Sequence, residues 1–184
     1  DGRRVITWGI AGGFSLHPLK NLNVWGDGGV IVTSNDALAE KLRLIRNHGM
    51  ANRDEIACFG YNSRLDTLQA VVGNWLIGNT EDIAAKRIAN ADYYDSKLSD
   101  IPGITLPPRI AAMRRVYHLY IVFAEQRDGL LAHCQKQGIE AKVHYPIPLY
   151  KQAGLEHLGY KPGDFPVADR HAAIGITFPC DQHL

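Results

Sequence analysis

The sequence has almost no excess of charge of either sign. Its 184 residues include 20 Lys or Arg and 19 Asp or Glu, and the formal net charge is +1. Proteins that bind nucleic acid concentrate positive charge on one face or in one segment. Because the charged residues here are spread along the chain, nucleic acid is not an expected partner.

Long apolar runs are missing too. No segment approaches the length that a membrane-spanning helix needs, and the first residues, DGRRVITWG, lack the apolar core and cleavage pattern of a signal peptide. We therefore expect neither a membrane partner nor a secretory leader. The expected compartment is the cytoplasm.

Cysteine is scarce and its spacing is uninformative. Cys58, Cys134 and Cys180 are odd in number, far apart and without a CxxC pair. This pattern favours neither a disulfide framework nor a zinc site, so no metal site is expected. The thiols are expected to be buried or half-buried.

The residues that are present predict an α/β chain. With 46% hydrophobic and 21% charged residues, the chain is long enough for one domain, or for one domain and part of another. GVIVTS is typical of a buried strand, and DALAEKLRLIRNHG, NSRLDTLQAVVGNWLIGN and TEDIAAKRIANADYYDSKLSD have helical periodicity. The proline-rich IPGITLPP then breaks the helix and indicates a domain boundary. Beyond it, RVYHLYIVFA, RDGLLAHCQKQG and IEAKVHY predict a β-α-β unit.

One lysine has unusual neighbours. Lys20 lies in FSLHPLKNLNVWGDGGVIVTSN, close to Leu19, Leu22, Val24 and Trp25, where a strand is expected to end. Apolar neighbours can strip water from an ammonium group, which favours a neutral, nucleophilic amine that forms a Schiff base with an aldehyde. Judged from the residues alone, an exposed loop cation is the better interpretation of Lys20, since most lysines are exposed.

Several separate segments resemble one family in order along nearly the whole chain. FSLHPLKNLNVWGDGGVIVTSND, RNHG, YNSRLDTLQA, YHLYIV and VHYPIPLYKQ are similar to the DegT/DnrJ/EryC1/StrS family of sugar aminotransferases, which use pyridoxal 5′-phosphate (PLP). The resemblance implies an α/β fold with two parts. Residues 1–80 would form the end of the large PLP-dependent transferase domain (aspartate aminotransferase-like, fold type I). Residues 81–184 would form a linker helix and a small C-terminal α/β domain, incomplete at its end.

The resemblance also implies roles for two residues five positions apart in the chain. Lys20 corresponds to the lysine that carries PLP as a Schiff base and then moves the proton between substrate and cofactor. Ser15 resembles the serine whose hydroxyl binds the PLP phosphate, with a small residue at a strand end as the alternative. For His17 the choice between assisting proton transfer and packing the turn stays open.

Further roles are implied for residues that line the site from elsewhere. Asn62 resembles the asparagine that contacts the phosphate in the neighbouring subunit of a homodimer with shared sites, and it would also suit a helix N-cap. Arg64 would serve as a cation for the phosphate or an anionic substrate. The remaining candidate substrate-binding residues, which are equally consistent with polar residues at strand ends, are His118, His144 and Tyr145.

The implied activity is transfer of an amino group, from glutamate, to a keto sugar that is nucleotide-linked or related. Such a step would serve amino-sugar, cell-surface polysaccharide or antibiotic biosynthesis. A sugar dehydratase of the same family is one alternative, but dehydratases replace the lysine by histidine and Lys20 is retained. A non-catalytic regulatory or sensory domain is the other, because the phosphate loop, the stacking aromatic ring and the aspartate of the family do not precede Lys20. The chain is expected to be a C-terminal portion cut at both ends.

Overall fold

The computed structural model describes Ile6 and residues 8–184. Within it the chain forms two units that divide between Thr80 and Glu81. Both units combine strands with helices, as the sequence predicts for an α/β chain.

The first unit begins with an antiparallel hairpin. Strand β1 (Ala11–Ser15) pairs with β2 (Gly29–Thr33), and Ser15 lies opposite Gly29. The strand in GVIVTS is confirmed, but its predicted burial is wrong, because Ile31 in β2 is 56% exposed. A two-stranded ribbon has two apolar faces, and nothing in the described part of the chain covers both.

Two helices follow the hairpin. Helix α1 (Asp36–Ile45) begins at the N-cap Asn35, whose side-chain oxygen accepts the Leu38 N–H at 2.9 Å. Helix α2 (Thr67–Ile77) begins at the N-cap Asp66, so the proposed N-cap role of Asn62 is wrong. Asn62 instead pairs with Asn47 in an isolated antiparallel bridge, which requires extended backbone five residues before α2.

The connection between α1 and α2 is closed by a glycine that has no room for a side chain. Gly49 has a φ of +73°, and a Cβ there would collide with the carbonyl oxygen of Cys58. The Cys58 thiol itself is exposed, whereas Cys134 and Cys180 are buried. The expectation of buried or half-buried thiols is therefore confirmed for two cysteines and wrong for Cys58.

The second unit packs helices around a three-stranded antiparallel sheet. Its strands are β3 (Ile104–Thr105), β4 (Tyr120–Ala124) and β5 (Gly175–Phe178), in the order β3-β4-β5. The helices are α3 (Thr80–Leu98), α4 (Arg127–Lys136) and α5 (Pro166–Ile174), with two 3₁₀ turns at Leu149–Lys151 and Ala153–Leu158. The largest fully buried side chains of its core include Tyr120, Val122 and Ile176.

Two predictions for this unit are corrected by the sheet. The proline-rich segment is no boundary between the units, because Ile104–Thr105 forms the edge strand β3 on β4. The predicted returning strand in residues 139–145 is reduced to one antiparallel bridge between Lys142 and Thr177. Strand β5 occupies the position beside β4 instead. Its residues Gly175, Ile176 and Thr177 are all buried there.

Two features are absent from the described residues, a membrane-spanning helix and a metal-binding cluster. No helix in the described ranges combines the length and apolar character that crossing a bilayer requires. Among the same residues, no group of three or more His, Cys, Asp or Glu side chains is arranged to hold a metal ion.

Candidate functional site

Lys20 lies in a closed loop that directly follows β1. The Leu16 N–H donates to the Gly28 carbonyl at 2.8 Å, and the Val24 N–H donates to the Leu16 carbonyl at 3.2 Å. Leu16 and Val24 are both buried, so apolar packing holds the two chain segments together where the loop closes. Lys20 is half-buried, and its N–H donates to the His17 carbonyl at 2.8 Å. The lysine therefore projects from a turn that is held at both ends.

Ser15 is joined to the same turn through His17. The His17 N–H donates to Ser15 Oγ at 3.3 Å, and His17 Nδ1 accepts the Leu19 N–H at 3.2 Å. Because its Nδ1 already binds the backbone, His17 stabilises the turn. Ser15 and Lys20 thus lie on one short segment whose turn is hydrogen-bonded through His17, with Ser15 exposed at the end of β1.

Gln69 ties the far side of this loop to α2. Its side-chain amide donates to the Asp27 carbonyl at 3.0 Å, while its amide oxygen accepts the Asp66 N–H at 3.3 Å. Gly28 is needed at this approach, since a Cβ there would lie 2.9 Å from side-chain atoms of Leu65 and Val24. The Lys20 loop is thereby fixed against the start of a helix.

Asn62 and Arg64 are exposed on a segment that runs beside the end of α1. The Ser63 N–H donates to the Arg46 carbonyl at 3.0 Å, and Arg64 Nη1 donates to Asn47 Oδ1 at 3.3 Å. These contacts leave both side chains at the surface of the unit, where the Arg64 guanidinium has further N–H donors to offer.

A largely apolar cavity of about 680 Å³ lies between the hairpin and α1. Ser15 and Ser63 line it, together with Arg43 and Arg46 at its polar edge. Lys20, Asn62 and Arg64 are not among its lining residues. The residues that line the cavity therefore include one predicted site residue, Ser15, and one that the sequence did not predict, Ser63. The position of Ser63 between Asn62 and Arg64 was its only signal.

The other predicted residues lie in the second unit. His144 is half-buried, and its Nδ1 lies 2.9 Å from Thr177 Oγ1. Burial lowers the pKa of His144, and the charge of Lys142 lowers it further. The exposed Tyr145 ring meets the His144 ring edge-on at 5.3 Å between centroids. The half-buried His118 lies two residues before β4.

Two residues that position these groups, Gln69 and Thr177, are not predicted by the sequence. Asp66 and Gln69 have the spacing of a capping box, which could have identified Gln69. Thr177 had no local signal, because it is 33 residues from its partner His144.

The donor set of the first unit fits a phosphorylated aldehyde. An amine condenses with a carbonyl, whereas hydroxyl, amide and guanidinium groups donate hydrogen bonds to phosphate oxygens. Lys20 supplies the amine, Ser15 the hydroxyl on the same segment, and Asn62 and Arg64 the exposed amide and guanidinium. The chemistry of the residues thus agrees with the cofactor that the sequence implies.

Comparison with known proteins gives consistent matches. Residues 1–184 match the DegT/DnrJ/EryC1/StrS aminotransferase family. The chain is 39% identical over 183 residues to the erythromycin biosynthesis sensory transduction protein EryC1 of Saccharopolyspora erythraea, covering 100% of this chain and 50% of that protein. It is 36% identical over 183 residues to a dTDP-3-amino-3,4,6-trideoxy-alpha-D-glucose transaminase of Streptomyces venezuelae, covering 100% and 48%.

A solved structure extends the match to the fold. S. venezuelae DesV in complex with a ketimine intermediate superposes with a TM-score of 0.92 at 36% identity, covering 100% of this chain and 49% of DesV. The chain thus spans about half the length of the curated relatives it matches. The likeness confirms the expected α/β fold, the end of a large transferase domain followed by a small C-terminal domain.

Proposed function

The chain belongs to the DegT/DnrJ/EryC1/StrS aminotransferase family, and from this we propose that the whole protein is a PLP-dependent sugar aminotransferase. It transfers an amino group, from glutamate, to a keto group on a nucleotide-linked sugar. The observation that carries the proposal is the position of Lys20, half-buried on a closed turn with Ser15 at the start of the same segment. The relative named as a dTDP-amino-sugar transaminase supports the choice of substrate.

The residues of this chain have separable tasks in the proposed reaction. When bound, PLP supplies an electron sink for the carbon that carries the amino group. Lys20 Nζ would hold the carbonyl carbon of the bound cofactor, and as a free amine it would act as the base and acid that moves a proton from and to the substrate carbon. The Ser15 hydroxyl donates to a phosphate oxygen, and Arg64 provides positive charge for the phosphate or for an anionic substrate.

A regulatory role is the second candidate. It is favoured by the name of the 39% identical relative, which is called a sensory transduction protein. The retained Lys20 favours transamination over the dehydratase alternative, whose family members carry histidine at this position.

A half-reaction separates these functions. The whole protein is mixed with PLP and then with glutamate, without any sugar, and the visible absorbance and 2-oxoglutarate are measured. We expect a visible band that borohydride removes, and one 2-oxoglutarate per bound cofactor. A second addition of a dTDP-linked keto sugar should restore the band and yield an amino sugar. A protein that gives neither band nor 2-oxoglutarate would be regulatory, and one that releases water from the sugar without glutamate would be a dehydratase.

We further propose a homodimer in which Asn62 and Arg64 serve the neighbouring subunit. Their exposed side chains are available to a second copy. Subunits with Lys20→Ala are mixed and refolded with subunits carrying Asn62→Ala, because each heterodimer then has one intact site. Random pairing should restore about a quarter of wild-type activity. Activity no higher than that of either variant alone would show that Asn62 acts within its own subunit.

A further inference from the structure

Thr177 has a buried hydroxyl on the last strand. The residue is 5% exposed, and β5 holds its backbone on one side against β4. On the other side it exchanges both backbone hydrogen bonds with Lys142, at 2.8 and 3.0 Å. With its N–H and C=O both engaged, Thr177 cannot move without breaking the edge of the sheet.

This fixed hydroxyl contacts the ring of His144. Thr177 Oγ1 lies 2.9 Å from Nδ1, and within the described ranges this is the one hydrogen bond that Oγ1 makes. His144 follows Lys142 by two residues, so the bridge that clamps Thr177 also sets the path of the backbone that carries the imidazole.

The direction of this hydrogen bond follows from the buried hydroxyl. If Nδ1–H donated to Oγ1, the Thr177 proton would have no acceptor, and a buried donor left unsatisfied loses the hydrogen bond that it makes with water in the unfolded chain. If Thr177 donates to Nδ1, both groups are satisfied and the only cost is a spare lone pair on oxygen, which proteins tolerate more often. The second arrangement places the ring proton on Nε2.

We propose that Thr177 is a positioning residue that holds His144 in its neutral form with the proton on Nε2. The ring then offers an uncharged N–H donor to an oxygen of the substrate. This contact with the substrate rests on the proposed function. The neutral form agrees with the surroundings, since burial and the ammonium group of Lys142 both lower the pKa of His144. Lys142 Nζ itself pairs with Glu140 at 2.6 Å.

The tautomer is tested without any turnover. The whole protein, with ¹⁵N-labelled histidine, is examined by NMR at neutral pH, and loss of one signal set in His144→Gln assigns the His144 ring among the histidines of the protein. We expect the proton on Nε2 in the wild type and in Thr177→Ser. In Thr177→Val, which keeps the shape and removes the hydroxyl, the ring should become a mixture of tautomers. A proton on Nδ1 in the wild type overturns the proposal even if the valine variant fails to fold.

Kinetics then separate positioning from simple packing. Thr177→Val should raise KM for the sugar about tenfold with kcat little changed, since one ground-state hydrogen bond is weakened. Thr177→Ser should restore the wild-type KM. A valine variant that keeps both the Nε2 proton and the KM overturns the role of Thr177. A wild type that shows the expected tautomer and no transamination overturns the proposed function instead.

Discussion

Replacing Lys20 by alanine or by arginine is expected to abolish transamination in the whole protein while leaving its fold intact. Alanine has no amine, and arginine keeps the positive charge but has no amine that condenses with an aldehyde. The lost covalent and proton-transfer steps should lower kcat by a factor of at least about 10³. The fold should survive because backbone bonds of Leu16, which the substitutions leave in place, close the Lys20 loop.

The matched control is Lys41→Ala, which removes an exposed lysine from α1 in the same unit. Its turnover should equal that of the wild type. Turnover and circular dichroism are measured for the three variants and the wild type. Turnover by Lys20→Arg at near the wild-type rate would remove the assignment of Lys20, and with it the main support for the proposed mechanism.

The sequence predicts where helices and strands lie better than it predicts whether their apolar faces are buried. Helical spacing of Leu68, Val71 and Trp75 identifies α2, yet these three side chains are 82%, 60% and 71% exposed. Periodicity reports which residues share a face, and whether that face is covered depends on atoms elsewhere in the chain or in another chain. The same reasoning explains the exposed apolar strand β2.

Pairing across long separations is the part that local sequence could not supply. The 139–145 segment has the composition of a strand, but its pairing with β5 is limited to Lys142 and Thr177. The register depends on which strand packs best against β4, and Ile176 in β5 is completely buried. For the proposed site, contiguous motifs predict roles for Lys20 and Ser15, whereas the Thr177 contact to His144 crosses 33 positions and needs the folded sheet.

A comparable gap between sequence and structure concerns a buried cation. Arg87 in α3 is only 7% exposed, although charged residues are rarely buried without partners. Its Nη1 donates to the carbonyls of Tyr117 and Cys180, each at 3.1 Å, and its Nε donates to the Gln182 side chain at 3.1 Å. Burial lowers the pKa of Arg87, while Cys180 and Asp181 act in the opposite direction. The guanidinium thus fastens the segment after β5 to α3.

Arg87→Met is therefore expected to destabilise the protein strongly. Methionine keeps much of the apolar stem, so the main loss is of hydrogen bonds: the buried carbonyl of Cys180 and the partly buried carbonyl of Tyr117 each lose a donor. The expected decrease in the free energy of unfolding is about 2–4 kcal/mol, since each buried group left unsatisfied costs about 1–3 kcal/mol. Two contacts would remain: Asn90 donates to the Asp181 carbonyl at 2.7 Å, and the Cys180 thiol donates to the backbone carbonyl of residue 87 at 3.5 Å. Amide hydrogen exchange at residues 180–182 should accelerate with the global change.

The control is Lys86→Met, the same substitution at the exposed neighbouring position of α3. It should change the free energy of unfolding by no more than about 0.5 kcal/mol, as is usual for surface sites. The free energies of unfolding of both variants, of Arg87→Lys and of the wild type are measured by urea denaturation. They are comparable when the free energy depends on urea concentration with the same slope in each protein. The lysine variant should fall between the wild type and Arg87→Met, because one ammonium group cannot span three acceptors that a planar guanidinium joins. If Arg87→Met and Lys86→Met unfold at the same midpoint, the Arg87 hydrogen bonds only offset the cost of burying its charge, and α3 holds the last segment through Asn90 and apolar packing.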